Sequence, residues 1–298
     1  MPNESLKIAC FHGVIPNSQK LQGIQNCQKK HITKFQFESY LKYLKIKKKV
    51  NFLSVKDIIK KDFKIKKNSY LITFDDGYKN NFTIATKILN KLKIPCIFFI
   101  CPDMIGYNKI FTTDRIEHII NFSKKLKIHH KNKKKIFKNL LKKDKLKNLI
   151  YVKKIVKNQI SNEKKKFMID LIKNNLVKEK FPSFYKIANW HEIKKSSNNM
   201  ISIGNHFINH IELTNLSSKN LVKIINKSKK IFISHKLSSS FYYASYPEGK
   251  YNKKVIGVIK SKGIKICPTV GSGINKGKLN MYTLSRYMVG FDNNKLYF

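Results

Sequence analysis

Arginine is nearly missing from this 298-residue chain. Of its 62 basic residues all but Arg115 and Arg286 are lysine, against 17 acidic residues, for a formal charge of +45. A charge of that size invites a nucleic-acid reading. Specific readout of bases and phosphates, however, relies on the planar guanidinium fork, and a chain that withholds it is a poor candidate for that task. The lysines are accompanied by abundant Asn, Ile and Phe, the set that A/T-rich codons encode, so most of the charge reads as composition bias on solvated faces. Non-specific attraction to an acidic glycan, a sugar nucleotide or an anionic membrane surface still follows from it.

Other absences narrow the field. No run approaches the ~18 apolar residues of a spanning helix. The start, Met1 to Lys7, lacks a basic segment followed by a long apolar core, so it does not look like a signal peptide. The five cysteines are odd in number and form no C-x-x-C pair. Cys10, Cys96 and Cys101 lie in or beside apolar runs, where buried free thiols are common, so a reducing compartment is expected. The expected location is therefore cytoplasmic, with association at an anionic membrane surface as a further expectation. No G-x-G-x-x-G follows a strand-like run and no phosphate-loop motif is present, which argues against an open dinucleotide-binding sheet.

What is present is a folded chain, 42% hydrophobic and 12% aromatic. Apolar, β-prone runs are predicted as strands at 6–11, 70–74, 95–101, 200–205, 241–246 and 264–267. Helices are predicted at 80–92, 217–235 and 252–261, and the spacing of Phe35, Phe37, Tyr40, Leu41 and Leu44 predicts another. Strand, helix and strand within about thirty residues make a βαβ unit and a parallel sheet. Between about 114 and 188 glycine vanishes, lysine density rises and apolar residues recur at helical spacing. That stretch reads as a Lys-rich helical insertion in a single catalytic domain spanning 1–298. A barrel-like α/β fold with one insertion fits this order.

The chemistry sits at the ends of two of these runs. Asp75-Asp76-Gly77 closes the run from Leu71, and His206 closes the run from Ile201, with His210 four residues on. One carboxylate and two imidazoles make a three-ligand set for a catalytic zinc with a position left for water. The remaining carboxylate can then serve as a base. Each half is weak alone: Asp-Asp-Gly is a common turn, and most histidine pairs bind nothing. Both, however, sit where α/β folds collect their sites.

These residues resemble the polysaccharide deacetylases (NodB-homology domain, carbohydrate esterase family 4). Thr73 to Gly77 is similar to the first motif of that family, and His206 and His210 to its second. Ser245-Tyr246-Pro247-Glu248-Gly249-Lys250-Tyr251-Asn252 resembles the third, and Leu284-Ser285-Arg286 a late element. The likeness covers about 6–105 and 190–290. It implies a distorted (β/α)7 barrel, with Asp76, His206 and His210 holding a divalent metal, zinc or else Co, Mn or Ni. It also implies Asp75 as general base and the Tyr246–Glu248 turn as the oxyanion and substrate contact.

The chain departs from the family pattern at several places. Phe207 stands where Ser or Thr is usual, Ser245 where many members carry an arginine, and Glu248 where Tyr or Phe is typical. Arg286 is the expected replacement partner of Asp75. No late L-x-H histidine exists to act as general acid, and His12, at the end of the first strand, fits that role as in members resembling poly-N-acetylglucosamine deacetylases. His31, His118, His129, His130, His191 and His235 are expected at the surface. The expected activity is metal-dependent removal of N-acetyl groups from an N-acetylated sugar, a precursor in surface glycan assembly. Deformylation or deacylation of another amide, and a non-catalytic glycan-binding role, are the rival readings; no specific nucleic-acid partner is expected.

Overall fold

In a computed structural model, which describes residues 4–106, 109–130, 133–138, 141–157, 161–175 and 177–290, the apolar runs lie side by side as parallel strands. They are β1 (Leu6–Phe11), β2 (Ser69–Phe74), β3 (Cys96–Ile100), β4 (Ile201–Asn205), β5 (Thr269–Val270) and β6 (Ser285–Met288). Their order is β5-β6-β1-β2-β3-β4. Strands β2, β3 and β4 are buried along their whole length. Strands covered on both faces cannot alternate apolar with polar residues, and so they read as continuous hydrophobic runs.

Beyond β4 the circuit continues through single bridges. Asn205 pairs with Ala244 and Tyr243 with Ile266, both parallel. The chain then runs from Ile266 into β5, which pairs with β6, and β6 with β1. The result is a distorted (β/α)7 barrel in which two staves are barely strands. The sequence predicts full strands at 241–246 and 264–267. Instead Ser238–Tyr242 forms a 3-10 turn and only the bridges remain. Pro247 and Pro268 each lack the N–H that a longer ladder needs, and the serines of 238–240 favour turns.

The helix predicted from Phe35 forms as Lys34–Lys42, with Thr33 and Gln36 making a reciprocal capping box at its start. Phe37, Tyr40 and Leu41 face the core, whereas Phe35 is 69% exposed and does not join the stripe. The helix predicted at 80–92 begins as a π turn, Asn81–Ala85, before its α-helical part, Thr86–Leu92.

Register builds a floor beneath the barrel mouth. Phe11 lies opposite Phe74, and Phe74 opposite Phe98. Their ring centroids stand 5.1 and 5.0 Å apart, and Phe37 adds an edge-on contact to Phe11 at 5.2 Å. Such offset and edge-on arrangements suit the ring quadrupoles and fix the level at which the strands end. The residues that follow, His12 and Asp75, therefore emerge just above an apolar layer.

The chain divides into two compact units: residues 1–17, 28–109 and 186–298, which carry the barrel, and residues 18–27 with 110–185. The second unit holds helices Thr112–Phe122, Lys142–Lys157 and Ser161–Asn174. It also contains an antiparallel hairpin, Lys125–His130 with Lys133–Lys138, in a segment the sequence suggests is helical. Leu126 and Ile128 are buried in its core beside Ile116, Leu149 and Leu171. Their period-2 spacing is the strand signal, and the lysines crowding both sides obscure it. Ser18–Cys27 joins this unit through Asn121 Oδ1, which accepts the Ile24 N–H at 2.8 Å, and Glu117 Oε1, which accepts the Asn26 N–H at 2.8 Å. Among the described residues no helix is long and apolar enough to cross a membrane.

Candidate active site

The first site element is the turn after β2. Asp75 continues the ladder, its N–H donating to the Phe11 carbonyl at 2.9 Å. The chain then reverses through Asp76 and Gly77, with φ of 78° and 91°. A Cβ on Gly77 would stand 3.1 Å from Ile100, so both backbone sign and space call for glycine there. This reversal sends the two carboxylates in different directions.

The second element is the turn after β4. Asn205 Oδ1 accepts the Phe207 N–H at 2.9 Å and the Ser228 hydroxyl at 2.7 Å. The backbone that follows is strained, with positive φ at Phe207 (59°), Asn209 (53°) and His210 (49°). Phe207 combines that φ with ψ of 179°, a region that belongs to glycine and costs other residues about 1–3 kcal/mol. Its ring is fully buried, and packing there holds the strained residue in place. Asp103, just past β3, accepts the Asn209 N–H at 2.8 Å and pins the turn from outside.

The two turns bring three ligand atoms together. Asp76 Oδ1 lies 3.8 Å from His206 Nε2 and 3.6 Å from His210 Nε2. Ligand atoms about 2.1 Å from one tetrahedral cation would sit about 3.4 Å apart. The donor set, one carboxylate and two imidazoles, is also the right chemistry. Asp76 Oδ1 is buried and has no hydrogen-bond partner among the described residues, a costly state unless a cation uses that oxygen. The tautomer of His206 suits the purpose too. Its Nδ1 lies 2.7 Å from Ser245 Oγ and 3.0 Å from the Ser245 carbonyl. The carbonyl can only accept, so Nδ1 carries the proton and Nε2 presents its lone pair to the cluster. The residues therefore fit a divalent metal.

Asp75 stands beside the cluster, its Oδ2 3.7 Å from His206 Nε2. Arg286 meets it with two parallel bonds, Nη1 to Oδ1 and Nη2 to Oδ2, both 2.7 Å. Arg286 is 0% exposed, so the pair is a buried fork and not a surface ion pair. Cys10 Sγ (3.5 Å) and Ser245 Oγ (3.3 Å) donate to the same carboxylate. Burial opposes the charge on Asp75, but the Arg286 guanidinium, followed by the His206 ring, more than offsets it. The carboxyl is held well below the ordinary range. For Asp76, burial is likewise outweighed, first by the Lys30 ammonium and then by His210 and His12.

His12 is 7% exposed. Burial is the largest influence on its ring and lowers it to about 4, with the Asp76 carboxylate pulling the other way. Tyr246 is buried with its hydroxyl on the Tyr282 carbonyl at 3.1 Å, and Pro247–Gly249 turns tightly with φ of 58° at Glu248. The Glu248 carboxylate comes within 4.0 Å of His210 Nδ1, so this turn borders the cluster.

The histidines expected at the surface divide. His191 is exposed, and His235 is partly covered, stacked on Trp190. His118 is buried, its Nε2 2.9 Å from the Glu179 carbonyl, inside the second unit. His31 is buried beside the site, and a Cβ on Gly13 would lie only 2.0 Å from its Nδ1. That glycine is what admits the ring. The side chains of His129 and His130 lie outside the described residues. Lys30, Asp103 and Ser245 escaped sequence reasoning as contributors. Lys30 looks like every other lysine of the chain, whereas Ser245 stood at a motif position whose usual occupant it replaces.

A parallel α/β barrel with an Asp-His-His cluster and an arginine-paired carboxylate at its carboxyl mouth defines a barrel enzyme. The chain belongs to the polysaccharide deacetylase family, whose profile matches residues 63–267. That span holds Asp75, Asp76, His206, His210 and Ser245, but not His12, Lys30 or Arg286. Among solved structures it is similar to the Streptococcus pyogenes deacetylase PplD in complex with acetate, at 14% identity and TM-score 0.61, covering 96% of this chain and 92% of that one. It is also similar to IcaB from Ammonifex degensii, at 15% identity and TM-score 0.59, covering 96% and 92%. The BpsB deacetylase domain from Bordetella bronchiseptica matches at 11% identity and TM-score 0.55, covering 97% of each chain. At these identities the likeness is one of fold. A search of curated proteins finds no match.

Proposed function

We propose that the protein is a divalent-metal-dependent hydrolase that removes the acetyl group from the nitrogen of an N-acetylated carbohydrate, a precursor in surface glycan assembly. The observation that carries this is the convergence of Asp76 Oδ1, His206 Nε2 and His210 Nε2 beside a carboxylate kept ionised by a buried arginine. Membership of the polysaccharide deacetylase family supports the carbohydrate part. The streptococcal deacetylase of the same fold holds acetate, the acyl product expected here.

A divalent cation held by Asp76, His206 and His210 would polarise the acyl carbonyl and acidify water. The chain supplies the rest. Asp75 takes the proton of the attacking water, and its ion pair keeps it available as a base. The turn of Tyr246, Pro247 and Glu248 borders the cluster, and its Glu248 backbone N–H is the donor offered to the developing oxyanion, since Pro247 has none and the Tyr246 N–H is donated to the Pro268 carbonyl. His12 delivers a proton to the departing nitrogen as the C–N bond breaks, leaving a free amine and acetate. With its ring lowered to about 4, His12 is neutral at pH 7. The proton that Asp75 takes from the attacking water must therefore reach His12 during turnover before His12 gives it to the nitrogen.

The test is metal content. His206→Ala and His210→Ala should each lose most of the bound zinc, or its substitute, while circular dichroism reports an intact fold. Stoichiometric metal in both variants would remove the site assignment. A second measurement addresses His12. An amide needs its nitrogen protonated to leave, whereas an activated aryl ester releases a stable leaving group unaided. His12→Gln should lower amide turnover by about 10²-fold or more and largely spare aryl-ester turnover and metal content. Equal losses on both substrates would assign His12 to structure alone.

A further inference from the structure

The cluster has a fourth neighbour that ordinary metal-site logic would exclude, a second cation. Lys30 Nζ lies 2.8 Å from Asp76 Oδ2, the oxygen not turned toward the histidines. The ammonium also sits 4.7 Å from the centroid of the Tyr78 ring and bonds the Tyr78 hydroxyl. Its side chain is 19% exposed, so the contact is substantially shielded from water. A lysine stem anchored at an aromatic ring and a buried carboxylate is a held group, not a wandering surface chain.

We propose that Lys30 restricts Asp76 to one ligating oxygen and weakens the hold of the site on its cation; the proposal rests on the metal-site reading above. Asp75 is already matched by Arg286 and Asp76 by Lys30, so neither carboxylate of this turn brings the incoming metal an unbalanced negative charge, and Glu248 reaches only the far side of the His210 ring. Two consequences follow. Oδ2 is committed to the ammonium, leaving Oδ1, which faces His206 and His210, as the carboxylate ligand. A metal held by Asp76, His206 and His210 would have little of its charge offset inside a poorly screened pocket, where like charges a few ångströms apart repel strongly. A cation so little neutralised is held less tightly and attracts anions, including carboxylate products, more strongly.

Chelator competition with zinc tests this without reference to turnover. Lys30→Met keeps the length of the stem, removes its charge and frees Oδ2. It should bind zinc about ten-fold or more tightly than the parent protein. Lys30→Gln, a second uncharged variant, should move the same way, and Lys30→Arg should bind like the parent. Equal or weaker zinc affinity in both uncharged variants would overturn the proposal. His206→Ala separates the two ideas. If the parent takes up zinc no better than His206→Ala, the metal-site reading itself fails. If the parent binds well and Lys30→Met does not differ from it, only the role of Lys30 fails.

Discussion

Asp75→Asn is expected to lower amide turnover by about 10²–10⁴-fold while leaving the metal content at the level of the parent protein. Asparagine has the same shape and keeps an oxygen for the Arg286 fork and the Ser245 hydroxyl. It cannot accept the proton of the attacking water. What predicts retention of metal is the use already made of the Asp75 oxygens: Arg286 bonds both, and Ser245 and Cys10 donate to them as well, whereas Asp76 Oδ1 is left to the cluster. Asp76→Asn should do the reverse and lose the cation. Turnover and zinc content measured side by side on the two variants decide the matter. Comparable loss of zinc in both would mean that the two carboxylates have been given each other's roles.

Arg286→Met should be the most damaging single change to the fold. It leaves the Asp75 carboxylate buried without its counter-charge, and breaking such a pair costs about 3–5 kcal/mol. Lysine would not rescue it, because one ammonium cannot reproduce two parallel bonds of 2.7 Å. The loss should depend on pH in a fixed direction. Asp75 has a folded value far below its unfolded value of about 3.9, so its pairing contributes stability that is complete above that value. The contribution drains away as the pH falls from there toward the depressed folded value. Urea midpoints of parent and Arg286→Met should therefore differ most at neutral pH and draw together in acid. A gap that stayed constant down to pH 2 would show that the arginine stabilises by packing alone.

Much of this site could be read along the chain, for a definite reason. A carboxylate or imidazole at the end of a mostly apolar run advertises itself, since a buried parallel strand carries few other polar residues to confuse the signal. Asp75, Asp76, His12 and His206 were all legible that way. Arg286 stood out by rarity. The partners that came from elsewhere were not legible. Lys30 shares its local pattern with dozens of solvated lysines, and only the fold puts its ammonium on Asp76. His31 looked like a surface residue because nothing in its neighbours reveals that Gly13 leaves a space for its ring. The two thin staves are shorter than expected because apolar β-prone residues promise a ladder, while Pro247 and Pro268 take away donors and the serines of 238–240 favour a turn. The hairpin at 125–138 was missed for the opposite reason, an alternation hidden under uniform lysine.

Those thin staves leave the cylinder with a seam. Where β1 to β4 are paired over three to six residues, the segments around Tyr243 and Ile266 are joined by two backbone bonds to Asn205 and three between 242–246 and 265–268. Ser245, which steadies both Asp75 and His206, sits on that seam. Fraying there is cheap compared with melting the whole cylinder, and it would disconnect the base from the imidazole while the other strands stayed zipped. Loss of turnover is thus expected at lower urea than loss of circular dichroism.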